Sequence, residues 1–118
     1  MSISFVVPGK AVSKSNFRYS RSEKSRREWS RILSYQNDVG LSAIAAGARR
    51  FMGKRAHVNM LLLNQRLDVD NAAKACIDGL KNVAFPDDNP KFLRSVRVAY
   101  EEDDGEVRTE FRIRWEDE

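Results

Sequence analysis

Apolar residues along this chain recur with two different periods, which together predict two helices and four strands. The first strand is predicted from Ser2 to Val7, where β-branched and aromatic residues stop at Pro8-Gly9. A long helix is predicted to begin after an N-cap at Ser22 and to end near Gly47. Its inward stripe consists of Trp29, Ile32, Leu33, Gln36, Val39, Ala43 and Ile44. Gly40 lies within this stripe and weakens the helix by roughly 1 kcal/mol relative to alanine.

The middle of the chain predicts a central strand and a shorter helix. Arg55 to Leu63 ends in a continuous apolar run, which is typical of a strand covered on both faces. A helix from Asn71 to about Lys81 follows, with Asp70 at its N-cap. The apolar stripe of this helix consists of Ala73, Ile77, Leu80 and Ala84.

The last third of the chain predicts an antiparallel hairpin. Phe92 to Tyr100 and Val107 to Trp115 each alternate apolar with polar residues, and Asp104-Gly105 between them is a turn signal. The order of elements is therefore β-α-β-α-β-β. We expect a single α+β domain over residues 1–118, in which a four-stranded mixed sheet carries both helices on one face.

Composition narrows the class of protein. The 118 residues suffice for one domain with a core. No apolar run approaches the roughly 18 residues of a membrane span and no signal-peptide pattern is present, so we expect no membrane partner. The single cysteine, Cys76, excludes an internal disulfide and suits a reducing compartment such as the cytoplasm, and we expect it to be buried. His57, the only histidine, is expected to have a structural role in its strand.

The net charge of +4 is distributed unevenly. Residues 10–31 contain eight basic and two acidic residues, whereas residues 101–118 contain nine acidic and three basic ones. A basic first third is the electrostatic pattern of a protein that binds a polyanion. The candidate phosphate contacts are Lys10, Lys14, Asn16, Arg18 and Arg21.

Two acidic pairs stand out against this basic balance. Asp68 and Asp70 follow the second strand, and Asp87-Asp88 follow the second helix. In an extended segment, side chains two residues apart project to the same side with Cβ atoms roughly 7 Å apart, so Asp68 and Asp70 can converge on one cation. Magnesium is commonly held by one or two carboxylates plus substrate phosphates. Lys74, one turn into the helix, can offset charge at a reacting phosphate.

For a shared site, Asp88 has to return toward Asp68 and Asp70. The helix carries the chain about 15 Å away from Asp70. The seven residues from Asn82 cover roughly 23 Å when extended. Return within one chain is therefore feasible, and a dimer partner that donates Asp87 or Asp88 is the alternative.

The stretch LDVDNAAKACIDGLKNVAFPDD, from Leu67 to Asp88, resembles the signature of RusA-type Holliday-junction resolvases, which are small phage and prophage endonucleases. The matching residues are Asp68, Asp70, Asn71, Lys74, Asp78-Gly79-Leu80 and Asp87-Asp88. The opening VPGKAVSKSNFR, the chain length and the order of elements also resemble the family. One departure is that the family usually continues from its Asp-Asp pair with a small residue, Gln and a β-branched residue, where this chain has Asn89-Pro90-Lys91-Phe92.

The resemblance implies a homodimeric endodeoxyribonuclease that resolves four-way DNA junctions by paired symmetric nicks in recombination and repair. It implies Mg²⁺ as the cofactor, with Mn²⁺ as a substitute, and no organic cofactor. Asp68, Asp70 and Asp88 would be the catalytic metal ligands, and Lys74 the catalytic lysine. Because the chain departs from the family pattern after Asp88, Asp87 is the alternative ligand.

Two other functions stay open on the residues alone. A non-catalytic DNA-binding or junction-binding module would use the basic loop without nicking. A phage protein that binds another protein would use the acidic C-terminal hairpin, with the basic helix as the partner surface. Magnesium-dependent nicking and salt-sensitive DNA binding distinguish the three functions.

Overall fold

The computed structural model describes residues 1–12, 20–50 and 52–116. Its elements are β1 (Ser2–Pro8), α1 (Glu23–Ala45), β2 (Ala56–Leu63), α2 (Val69–Leu80), β3 (Leu93–Glu101) and β4 (Arg108–Trp115). Two helices and one four-stranded mixed sheet confirm the predicted α+β class and the predicted order of elements.

The strand order in the sheet is β1-β4-β2-β3, so the predicted β3–β4 hairpin is wrong. β3 pairs parallel to β2 on one side, and β4 pairs antiparallel to β2 on the other. The physical reason is α2, because a helix between two strands supplies the crossover that brings the next strand back in parallel. β4 then takes a central position, where Thr109, Phe111, Ile113 and Trp115 are all buried.

The connection from β3 to β4 passes over the end of β2. Asn64, directly after β2, has a left-handed backbone conformation with φ 60°. Its side-chain amide donates to the Asp103 carboxylate at 2.9 Å and to the carbonyl of Gly105 at 3.0 Å. Arg108 donates to the same carboxylate at 2.6 Å. The acidic segment predicted as a hairpin turn is thus a loop folded around Asn64.

The helices cover one face of the sheet, as predicted. α1 packs on β1, α2 packs on β3, and the two helices pack on each other. The core between helices and sheet includes Val7, Val58, Leu62 and Ile113, and Phe5 stacks on Phe111 with ring centroids 4.8 Å apart. Cys76 is buried in this core, as predicted, and burial raises the pKa of its thiol to about 12.

α1 begins as predicted, because the Ser22 hydroxyl accepts from the backbone N–H of Ser25 at 3.1 Å. Its buried side differs from the predicted stripe. Leu33 and Ile44 are 42% and 54% exposed, whereas Tyr35 is buried and its hydroxyl donates to Thr109 at 3.1 Å.

The rotation of α1 follows from how closely it crosses α2. A Cβ at Gly40 would lie 3.0 Å from the carbonyl oxygen of Gly79, and a Cβ at Gly79 would lie 2.7 Å from that of Gln36. Only glycine allows the backbones to approach this closely. Gly40, which weakens the isolated helix, is therefore a contact point between the two helices.

No helix in the described parts of the chain is long and apolar enough to cross a membrane.

Candidate active site

The segment that connects β2 to α2 is held in place by hydrogen bonds to β3, to β4 and to the start of the basic loop. Gln65 is buried, and its side-chain oxygen accepts from the backbone N–H of Ala11 at 2.9 Å. Its side-chain nitrogen donates to the Thr109 hydroxyl at 2.9 Å. The Tyr100 hydroxyl donates to the carbonyl of Leu67. The start of the acidic stretch is thereby anchored to β3 and β4, and the first residues of the basic loop are joined to it.

Asp68 and Asp70 lie at the start of α2, not on an extended segment. Asp68, not Asp70, is the N-cap residue, and Asp70 lies in the first turn of the helix. Both side chains are exposed. Asp68 makes no side-chain capping bond, and neither carboxylate has a hydrogen bond or ion pair with another residue that the structure describes. The two carboxylates therefore remain available to a ligand.

The exposed edge of α2 carries alternating charges. Lys74 follows Asp70 by one turn and Asp78 follows Lys74 by another, so the three occupy neighbouring positions on one face. Lys74 is exposed, whereas the opposite side of α2 is buried through Ala72, Cys76 and Leu80. The helix thus presents Lys74 to solvent next to the first acidic pair.

The chain reverses direction directly after α2. Asn82 has a left-handed conformation with φ 64°, and its backbone N–H donates to the carbonyl of Phe85 at 2.7 Å. The indole N–H of Trp115 donates to the carbonyl of Ala84 at 2.9 Å, which fixes the reversed segment to β4. This turn brings the second acidic pair back to the same helix that carries the first pair.

Asp87 and Asp88 have different surroundings. Asp87 accepts from the backbone N–H of Asp88 at 2.8 Å and from the Asn89 side chain at 3.2 Å, so both of its oxygens hold the loop together. The first of these bonds is the main cause that lowers the pKa of Asp87. Asp88 instead points its carboxylate to Lys81, 3.4 Å away.

Lys81 connects the second acidic pair to α2. Its ammonium lies 3.6 Å from Asp78 and 3.4 Å from Asp88. Burial by itself lowers the pKa of Lys81, but the hydrogen bond to Asp88 and the charges of Asp88, Asp78 and Asp87 outweigh it, so the pKa is raised. The Lys81 ammonium therefore forms ion pairs with both the Asp78 and the Asp88 carboxylate.

The structure does not gather the predicted ligands into one cluster. Asp68 and Asp70 lie at the first turn of α2, whereas Asp88 lies against its last turn. The helix rises about 12 Å along its axis over the eight positions from Asp70 to Asp78, so the two acidic pairs lie at opposite ends of it. Among the described residues, no group of three or more histidine, cysteine, aspartate or glutamate side chains is arranged to hold a metal ion.

The predicted phosphate contacts are described only in part. Lys10 and Arg21 are exposed at the two ends of the basic loop. Lys14, Asn16 and Arg18 lie outside the described residues.

His57 has structural contacts, as expected: its Nδ1 lies 2.6 Å from the Ser95 hydroxyl and its Nε2 lies 3.4 Å from the Glu116 carboxylate.

Two residues of the site were missed by the sequence analysis. Gln65 stands in a short polar segment after an apolar strand, and nothing in that pattern indicates a buried side chain with three hydrogen bonds. Lys81 did have a usable signal, because it follows Asp78 by three residues on the charged edge of α2. Its second partner, Asp88, depends on the chain reversal and could not be read from spacing.

The arrangement can be compared with known proteins. No curated protein shows significant sequence similarity to the chain. The family model described as endodeoxyribonuclease RusA matches residues 8–114, which include the basic loop, both helices and both acidic pairs. The match spans nearly the whole chain, and we conclude that the protein belongs to the RusA endodeoxyribonuclease family.

Proposed function

We propose that the protein is a magnesium-dependent, structure-selective endodeoxyribonuclease that resolves four-way DNA junctions by paired symmetric nicks in recombination and repair. The observation that carries the proposal is the pair Asp68 and Asp70 at the start of α2, whose carboxylates have no hydrogen bond or ion pair with another described residue. Gln65 joins this segment to the first residues of the basic loop. We further propose a phage or prophage origin and action in the cytoplasm of the bacterial host.

The donor chemistry of the site fits Mg²⁺. Asp68 and Asp70 would supply oxygen ligands, which Mg²⁺ prefers, and Mn²⁺ accepts the same set. Because Asp88 of the same chain lies at the other end of α2, the third carboxylate would be Asp88 of a second chain in a dimer. When bound, such an ion activates a water and stabilises the leaving oxygen of an in-line displacement at phosphorus. Asp88 is favoured over Asp87 because Asp87 uses both oxygens to hold its loop, whereas Asp88 directs its carboxylate to the Lys81 ammonium.

Lys74 supports the reaction from the helix. Its exposed ammonium, one turn beyond Asp70, neutralises charge that develops on the phosphate oxygens in the transition state. Lys10, Lys14, Asn16, Arg18 and Arg21 hold the DNA backbone and set the position of the scissile phosphate. Positive charge on the loop also offsets the repulsion between DNA and the acidic pairs.

Paired symmetric nicks call for two equivalent active sites. A two-fold symmetric homodimer supplies them, because its symmetry matches that of a four-way junction cut at opposite strands.

The test of the proposed function is incubation of the purified protein with a labelled four-way junction, with and without Mg²⁺. We expect paired nicks only when Mg²⁺ is present. The Asp70→Asn variant is expected to lose nicking while it still binds the junction. Nicking that persists in Asp68→Asn, Asp70→Asn and Asp88→Asn would refute the assignment of the site.

A second candidate function is a junction-binding module that does not cut. The separation of Asp88 from the first acidic pair favours it, since no three carboxylates of the described residues form a metal-binding group. This function predicts binding that weakens steeply with salt, without Mg²⁺-dependent nicks. The same junction assay decides between the two.

A further inference from the structure

A pocket of about 200 Å³ lies between the segment that follows α2 and the end of β4. Its walls are apolar and mostly aromatic, and they include Phe85, Pro86, Phe92 and Trp115. Two cationic residues, Arg50 and Lys54, also line the pocket and are exposed at its border. None of the described residues that line it is acidic. The lining therefore suits a flat apolar group attached to an anion, and it does not suit a cation.

The walls of the pocket are fixed by contacts with the end of β4. The indole N–H of Trp115 donates to the carbonyl of Ala84 at 2.9 Å. The backbone N–H of Lys54 donates to the carbonyl of Glu116 at 3.0 Å. A Cβ at Gly53 would lie 3.0 Å from the Cβ of Trp115, so glycine is the residue that lets this segment approach the strand so closely. A pocket held in this way loses little freedom when a ligand enters, which favours binding.

The residues of the pocket differ in exposure. Phe85 and Trp115 are 2% and 4% exposed and form the floor, whereas Pro86 and Phe92 are half-buried and form the sides. Lys54 is exposed and has no ion pair with another residue that the structure describes. Aromatic side chains stack with nucleobases of any identity, and a lysine ammonium binds a backbone phosphate. The two kinds of residue together match the two parts of a nucleotide.

The pocket lies next to the second acidic pair. Pro86, one side of the pocket, directly precedes Asp87 and Asp88 in the chain. Two residues span at most about 7 Å, so Asp88 lies no farther than that from Pro86 along the backbone. DNA with a phosphate at the second acidic pair therefore passes beside the pocket.

We propose that this pocket binds one unstacked nucleobase of the DNA substrate. The proposal rests on the DNA substrate of the proposed function and adds a contact to it. The base enters between Pro86 and Phe92, and Lys54 binds the phosphate of the same nucleotide. The volume of about 200 Å³ accommodates a single base and not a base pair. Bases at the branch point of a junction are the ones available, because unstacking costs least where the helical stack is already interrupted.

Abasic nucleotides in the junction test the proposal. Each labelled four-way junction of a series carries one abasic nucleotide, at successive positions from the branch point. Affinity is measured by fluorescence anisotropy without Mg²⁺, so that no strand is cut. For the wild type we expect affinity to fall about fivefold or more at one position, because the stacking of one base is lost. Phe92→Leu keeps an apolar side chain but removes the ring, so we expect it to weaken binding of the intact junction and to abolish the effect of that abasic position.

Lys54→Gln tests the phosphate contact at an exposed position, where the change does not disturb the pocket walls. We expect it to weaken binding of the intact junction and to lower the slope of log affinity against log salt concentration by about one, because one phosphate contact is lost. Arg94→Gln is the matched control, since it removes an exposed cation from β3 and should leave the slope unchanged. An unchanged slope in Lys54→Gln would overturn the proposal even if Phe92→Leu failed to fold.

Two results of the abasic series would also overturn the proposal. Equal affinity of the wild type for every abasic junction would show that no single base is bound. A position-specific loss that persists in Phe92→Leu, with circular dichroism that matches the wild type, would place the base elsewhere on the protein. Because binding is measured without Mg²⁺, an absence of nicking does not affect the result. Nicking without any abasic effect would remove the nucleobase pocket and leave the proposed function intact.

Discussion

The side chain of Gln65 accepts a hydrogen bond from the backbone N–H of Ala11 at 2.9 Å, across 54 positions of the sequence. Ala11 opens the basic loop, and Gln65 lies three residues before Asp68. Since Gln65 also donates to Thr109 in the central strand β4, one buried amide links the start of the basic loop, the acidic stretch and the sheet. The relative position of loop and carboxylates therefore depends on this residue.

Gln65→Leu is expected to lower the free energy of unfolding by about 1–3 kcal/mol, because it leaves the buried Ala11 N–H without a partner. Junction binding at low salt is expected to weaken as well, since the loop loses its anchor. The measurements are urea unfolding and fluorescence anisotropy with a labelled junction. Gln36→Leu is the matched control, because the side-chain nitrogen of Gln36 is buried without a partner in the described residues. Equal losses in both variants would show that the Gln65 bonds have no special role.

Asp88→Asn and Asp87→Asn separate the two candidates for the ligand role. We expect Asp88→Asn to reduce the rate of Mg²⁺-dependent nicking by about 100-fold or more, with junction binding retained. Asp87→Asn is expected to retain most of the rate, because an amide oxygen can still accept from the Asp88 backbone N–H. The assay is single-turnover nicking at saturating Mg²⁺. If Asp87→Asn is the more damaging change, the ligand is assigned to the wrong residue.

Lys81→Met is expected to lower the Mg²⁺ concentration that gives half-maximal nicking by about fivefold. The Lys81 ammonium lies 3.4 Å from Asp88 and competes with a second cation, an effect of about 1 kcal/mol at this distance in water. A magnesium titration of the nicking rate measures the shift. Lys91→Met is the control, because that ammonium lies over the Phe92 ring, 5.8 Å from its centre. If Lys81→Met instead needs more Mg²⁺, Lys81 positions the Asp88 carboxylate and does not compete with the ion.

Asp103→Asn is expected to lower thermal stability near neutral pH, and the difference from the wild type should shrink as the pH falls below 4. Hydrogen bonds from Arg108 and Asn64 hold the pKa of Asp103 well below its ordinary value of 3.8. A carboxyl group with a lowered pKa stabilises the fold when it is ionised, above its unfolded pKa, and loses that effect as it is protonated. Melting temperatures of both proteins between pH 7 and pH 2.5 measure the difference, with the exposed Asp104→Asn as the control.

Local pattern was sufficient to predict the elements and the family. Periods of two and of three to four are properties of neighbouring side chains, so they predicted every strand and helix and the N-cap at Ser22. The motif from Leu67 to Asp88 likewise indicated the family, which the match over residues 8–114 confirms. Asp68, Asp70, Lys74 and Asp88 stay predictions as catalytic residues, because their role depends on chemistry that the fold alone does not test.

Only the tertiary structure decided which distant segments meet. The crossover through α2 placed β3 beside β2 in parallel, which no alternation pattern within β3 or β4 can express. The close crossing of Gly40 and Gly79 rotated α1, and a left-handed Asn82 returned Asp88 to Lys81. The sequence by itself determined the elements, because these depend on residues a few positions apart. Pairing, helix rotation and the partner of each carboxylate depend on the packing of the whole chain.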